Sequence, residues 1–176
     1  MAVNLTLQNG KITIGGGEER YILIPMRAYV EILNAMYELV GDAAGAPLYY
    51  LGKKIGRGLV EELKKRMEGK EQNIENLIKE YARYLEELGF GKIEVLEFND
   101  KHATIKMLSP PSMAGIKLVD GAAEKLLKQG KKICYLETGM IASVFEGVLG
   151  GKFRGVEKER GSLDDPYCVI EVVRVA

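Results

Sequence analysis

The chain has one histidine, two cysteines and no tryptophan in 176 residues. A single histidine excludes any metal or acid–base constellation that needs two imidazoles. Two cysteines exclude a disulfide-rich secreted scaffold. No apolar run approaches the ~20 residues that a membrane-spanning helix needs. The opening Met-Ala-Val-Asn-Leu-Thr has neither the basic start nor the apolar stretch of a secretory signal, so a cytoplasmic location is the expectation. Neither charge sign is in excess: 25 basic side chains meet 25 acidic ones, which argues against a nucleic-acid partner. The phosphate loop, the glycine-rich dinucleotide fingerprint, the nucleophile elbow and the Ser-x-x-Lys pair are all missing. Without a cofactor motif or a paired acid–base set, an enzyme is disfavoured.

What is present belongs to a folded domain. Hydrophobic residues make up 47% of the chain and charges of both signs are interspersed. That composition can build a core, and the length suits one domain. Residues 1–24 predict a β-hairpin and a further strand, part of the same domain as residues 25–176. Leu5-Thr6-Leu7 and Ile12-Thr13-Ile14 flank Asn9-Gly10, a dipeptide made for a tight hairpin turn. Tyr21–Ile24 is the further strand. Pro25 precedes a helical stripe of Met26, Tyr29, Val30, Leu33, Met36, Tyr37 and Val40. A second helix follows Pro47 and runs to about Met67, with Glu62 and Arg66 pairing on its solvated face. A third spans Gln72–Leu88.

Next come a hairpin, Lys92–Phe98 and Lys101–Leu108, and a helix over Met113–Gln129 with Ser112 as its N-cap. A last helix covers Ile133–Leu149. Two closing strands, Lys152–Glu159 and Tyr167–Val175, complete the pattern. Hairpins separated by helix pairs predict an α+β fold with an antiparallel sheet packed on a helical layer.

Few residues invite chemistry. His102 reads as a solvent-edge residue of the middle hairpin. Tyr81 and Tyr84 lie near the apolar stripe of the third helix, where they pack a core or line an apolar pocket. The sharper group is Cys134, Glu157, Arg160 and Cys168. A helix start and two paired strand ends bring them to one corner. Two thiolates and a carboxylate are ligands that zinc accepts, and two buried core cysteines are the other reading.

The stretch Cys134…Glu137-Thr138-Gly139…Val156-Glu157…Arg160-Gly161…Asp165-Pro166…Cys168 resembles the 4-vinyl reductase domain family. So do Leu48-Tyr49-Tyr50-Leu51-Gly52 and Leu88-Gly89-Phe90-Gly91, and the likeness covers residues 25–175. The resemblance implies the fold of nitric-oxide-signalling domains and trafficking-complex core subunits, commonly a homodimer. It implies a stand-alone protein that binds or senses a small apolar, hydrocarbon-like ligand. A structural protein–protein interaction module is the alternative, and an accessory protein to a reductase a second one. Together with the family, Tyr81, Tyr84, Met107, Met113 and Met140 are the expected pocket, since methionine adapts to irregular apolar shapes. The family's sensors bind zinc through Cys, Glu, Cys and Cys. Cys134, Glu157 and Cys168 match three of these, and Arg160 replaces the fourth. The corner is then a zinc site, a vestigial one with an Arg160–Glu157 ion pair, or a Cys134–Cys168 disulfide; no bound cofactor is the expectation. A disulfide would fit a hyperthermophile, and the Lys- and Glu-rich composition is one that thermophile proteins favour. The dimer is expected through the first two helices, with Gly52, Gly56 and Gly58 admitting the neighbouring backbone.

Overall fold

The computed structural model describes residues 4–68 and 73–176. Strands β1 (Leu5–Gln8) and β2 (Lys11–Ile14) form an antiparallel hairpin. Asn9 and Gly10 turn it with φ of 50° and 71°, the left-handed pair that a type I′ turn needs. Tyr21–Ile24 is not a strand. One bridge joins Tyr21 to Ile12, and Ile22, Leu23 and Ile24 are exposed. Their side chains favour β structure, but Pro25 has no N–H to extend a ladder and no strand among the described residues pairs with them beyond the single Tyr21 bridge.

Helix α1 (Met26–Val40) buries Val30, Leu33, Asn34 and Tyr37 and leaves Met26 and Val40 exposed. A 3-10 turn, Gly41–Ala44, leads into α2 (Gly45–Arg66). Helix α3 (Ile74–Glu87) starts at Asn73, whose side chain accepts the Asn76 N–H at 2.8 Å. The expected start at Gln72 and the Arg66 side chain of the expected Glu62–Arg66 pair lie outside the described residues. Strands β3 (Lys92–Phe98) and β4 (His102–Leu108) follow as a hairpin.

The single helix expected over Met113–Gln129 is instead two short ones, α4 (Pro111–Ala114) and α5 (Ala122–Lys128), with a 3-10 turn at Ile116–Leu118 between them. Two features break it. Asp120-Gly121 interrupts the helical backbone, with Gly121 extended. Asn34 of α1 then presses against Gly121, and its Oδ1 accepts the Ala123 N–H at 3.1 Å. A side chain from another helix therefore supplies the cap. Ser112 is not an N-cap but a buried residue within α4.

Helix α6 (Tyr135–Leu149) is buried continuously from Leu136 to Phe145. Strands β5 (Phe153–Arg160) and β6 (Tyr167–Arg174) close the chain. The sheet order is β3-β4-β6-β5, antiparallel throughout. Its inner face carries Ala103, Ile105 and Met107 from β4 with Cys168, Ile170 and Val172 from β6, all buried. Helix α6 packs between this sheet and α2, which is why it is apolar all round. The α2–α6 approach is backbone to backbone. A β-carbon on Gly52 would lie 2.0 Å from the Leu136 carbonyl oxygen, and one on Gly139 would lie 2.1 Å from that of Tyr49. Gly52 and Gly56 thus admit α6 of the same chain rather than a dimer partner, and Gly58 faces open space.

Candidate functional site

The corner predicted from sequence is built by a β-bulge. Residues three apart on a regular strand face opposite sides. The β5–β6 register shifts between Glu157 and Glu159, inserting one residue, so Glu157 and Arg160 come to the same side. Arg160 stands opposite Cys168 in the ladder, and its Nη1 donates to Glu157 Oε1 at 3.4 Å. Glu157 Oε2 accepts two backbone N–H groups, from Cys134 at 2.9 Å and Ile133 at 3.2 Å. These donors open α6, where no intrahelical carbonyl is available to them. Glu157 is 3% exposed, so it caps the helix from inside the protein. A carboxylate there also meets the positive end of the helix dipole.

Cys134 and Cys168 are both free thiols with no exposure. Burial pushes the Cys134 thiol well above its ordinary range. A hydrogen bond with Cys134 holds Cys168 down, yet burial and the carboxylates of Glu137 and Glu157 outweigh it, and Cys168 also rises. Glu157 has no oxygen to spare: one faces two N–H donors and the other a guanidinium. Among the described residues no cluster of three His, Cys, Asp or Glu can hold a metal ion. The donor set does not fit a structural zinc site, which takes four ligands.

A second buried carboxylate lies one helical turn along. Glu137 has no exposure; its two oxygens accept the Ser112 N–H at 2.9 Å and the Ser112 Oγ–H at 2.7 Å. Burial raises its pKa, the Ser112 hydrogen bonds oppose the rise, and Glu157 adds to it. Sequence reading gave Glu137 no role. The signal was available: a lone acidic residue inside the largely apolar run Cys134–Phe145 needs a buried donor.

The expected pocket residues are dispersed through the core. Met107 lies on β4, Met113 on α4, Met140 on α6 and the tyrosines on α3, all buried. Of the five, only Tyr81 lines the apolar void beneath α3, with Ile78, Ile93, Ile105, Ile141 and Phe145 among its neighbours. The void measures about 10 Å³, room for one water-sized group. Tyr81 is 2% exposed, and its hydroxyl has no hydrogen-bond partner among the described residues. Tyr84 instead meets Tyr21 of the N-terminal segment, hydroxyl to hydroxyl at 2.5 Å. His102 sits half-buried at the start of the inner strand β4, Nε2 3.4 Å from Glu171.

No protein-family model matches the chain, and no curated protein does. Solved structures do. The phenol-responsive sensory domain of the transcription activator PoxR, solved with phenol, superposes with a TM-score of 0.77. It is 15% identical, over 98% of this chain and 84% of that one. A vinyl-4-reductase family protein from Methanocaldococcus jannaschii gives 0.56 at 21% identity, over 89% and 85%. A trafficking protein particle complex subunit 3 from Naegleria fowleri, covalently bound to palmitic acid, gives 0.56 at 17%, over 86% and 95%. The chain has the fold of these three proteins. This vinyl-4-reductase-like fold accounts for the α+β architecture, the four-stranded antiparallel sheet and the helical layer. Identities this low carry the fold alone. No helix among the described residues is long and apolar enough to cross a membrane.

Proposed function

We propose that the protein binds a small, largely apolar molecule beneath α3, between that helix, the β3–β4 hairpin and α6. One observation carries the reading: an apolar void sits there beside a tyrosine whose buried hydroxyl lacks a partner. A buried donor left unpaired costs about 1–3 kcal/mol, and a ligand with one polar atom would recover it. The void is smaller than any ligand, so binding requires α3 to lift from β3. Support also comes from the fold's other bearers, one solved with phenol and one bound to palmitic acid. The test is a thermal-shift and NMR screen of small phenols, alcohols and alkanes. A ligand at 100 times its dissociation constant should stabilise by about 2.7 kcal/mol. Tyr81→Phe should leave alkane binding intact and weaken binding of the hydroxylated members. No response across the library would sink the proposal.

A second reading, an interaction module working as a homodimer, has its own observation. Ile22, Leu23, Ile24, Ile32, Leu39, Tyr50 and Leu51 are exposed. Isolated surface leucines are ordinary, but this number on α1, α2 and the segment before them favours contact with a second copy. The contact would use these exposed side chains, not the glycines of α2. Sedimentation at micromolar concentration separates a dimer from a monomer.

A further inference from the structure

A cleft of about 450 Å³ lies between the end of α5 and the start of the β5–β6 connection. It is lined by Leu127, Lys128, Arg160, Gly161, Ser162 and Leu163. That volume is in the range of small-molecule sites, roughly 300–1,000 Å³. It is separate from the void beneath α3.

Its walls are preformed. Gly161 N–H donates to the Tyr167 carbonyl at 2.9 Å, and Ser162 N–H to that of Asp165 at 3.1 Å. Ser162 Oγ accepts the N–H groups of Asp164 and Asp165 at 3.2 and 3.1 Å. The connection is therefore a closed, hydrogen-bonded turn. Its acidic tip is partly neutralised, since Asp164 pairs with Lys117 at 2.8 Å.

Its chemistry is cationic with apolar flanks. The Arg160 side chain is 20% exposed and spends one long hydrogen bond on Glu157. A guanidinium has five N–H donors in a fixed plane, and no other carboxylate among the described residues forms an ion pair with it. Lys128 stands at the rim, 65% exposed, and pairs with the half-buried carboxylate of Glu124 at 2.7 Å. An ammonium has three N–H donors, so Lys128 keeps others for a ligand while holding Glu124. Leu127 and Leu163 supply the apolar surface. The planar fork suits a carboxylate, and the apolar flanks of Leu127 and Leu163 suit an organic body rather than a fully hydrated inorganic anion.

We propose that this cleft binds a small organic carboxylate with an apolar body, its anion on Arg160 and Lys128 and its body against Leu127 and Leu163. Arg160 would then bridge two carboxylates, the ligand's and that of Glu157.

The test is NMR titration of the protein with sodium benzoate, benzyl alcohol and inorganic phosphate. Benzoate is expected to shift the amides of Leu127, Gly161 and Leu163, with binding that weakens as sodium chloride is added. Lys128→Glu, a change at the exposed rim of the cleft, should weaken benzoate at least fivefold. Arg160→Gln should weaken it at least tenfold, provided its amide spectrum stays folded. Benzyl alcohol or phosphate binding as tightly as benzoate overturns the proposal. So does benzoate binding that Lys128→Glu leaves unchanged. Shifts confined to Ile78 and Tyr81 also overturn it, while supporting the site beneath α3.

Discussion

The α-carbon of Gly52 faces the main-chain carbonyl of Leu136 so closely that a β-carbon would lie 2.0 Å from the oxygen. Neither backbone can yield without moving a helix. Gly52→Ala should therefore destabilise the fold by about 1–3 kcal/mol or more, the range for forced overpacking. Gly58, two turns along α2, faces open space. Gly58→Ala should stabilise by about 0.4–1 kcal/mol through helix propensity and a stiffer unfolded chain. Urea midpoints moving the same way for both would contradict the assigned α2–α6 contact.

Glu157 serves a guanidinium and two backbone donors at once. Glu157→Ala leaves the Cys134 and Ile133 N–H groups without their acceptor, and the expected loss is about 3–5 kcal/mol. Glu157→Gln keeps an acceptor and should lose less. Chemical denaturation of both variants ranks them. An alanine variant as stable as the parent would show that α6 needs no cap from β5.

For Glu137 the pH dependence has a definite sign. Its folded pKa is raised, so its contribution to stability is present below the ordinary carboxylate value and lost as pH rises through the folded one. Exposed carboxylates such as Glu75 and Asp164, held down by lysines, act oppositely. The comparison is therefore with Glu137→Gln, followed from pH 4 to 8. The parent should lose stability relative to this variant as pH increases. Parallel curves would mean that Glu137 titrates like a surface group.

Both thiols should resist modification in the native protein. Burial keeps them protonated and out of reach of a bulky disulfide reagent at pH 8. Two equivalents should react at once in denaturant. Fast reaction without denaturant would place the corner at the surface, and no reaction in denaturant would mean a disulfide.

The alternation of β4 and the stripes of α1 and α3 were legible because burial on one face imposes periods of 2 and 3.6 on the sequence. The Met113–Gln129 segment was not. Asn34, about ninety residues away, caps the start of α5, and no local pattern records a distant side chain. The glycines of α2 told of a close backbone but not whose it was. The closeness of Glu157 and Arg160 depends on a bulge whose extra residue, Lys158, looks like any exposed strand position. The expected methionine pocket failed as a group because a flexible apolar side chain fills a core as readily as it lines a hollow.

The central position of β6 has a consequence for synthesis. Strand β4 emerges from the ribosome long before β6, its only partner on that edge. Through the making of α4, α5, α6 and β5, the backbone edge of β4 that β6 will pair stays open. The sheet closes only when the final strand slides between β4 and β5, so nascent chains halted anywhere before Tyr167 present an open edge, the kind of surface that invites aggregation.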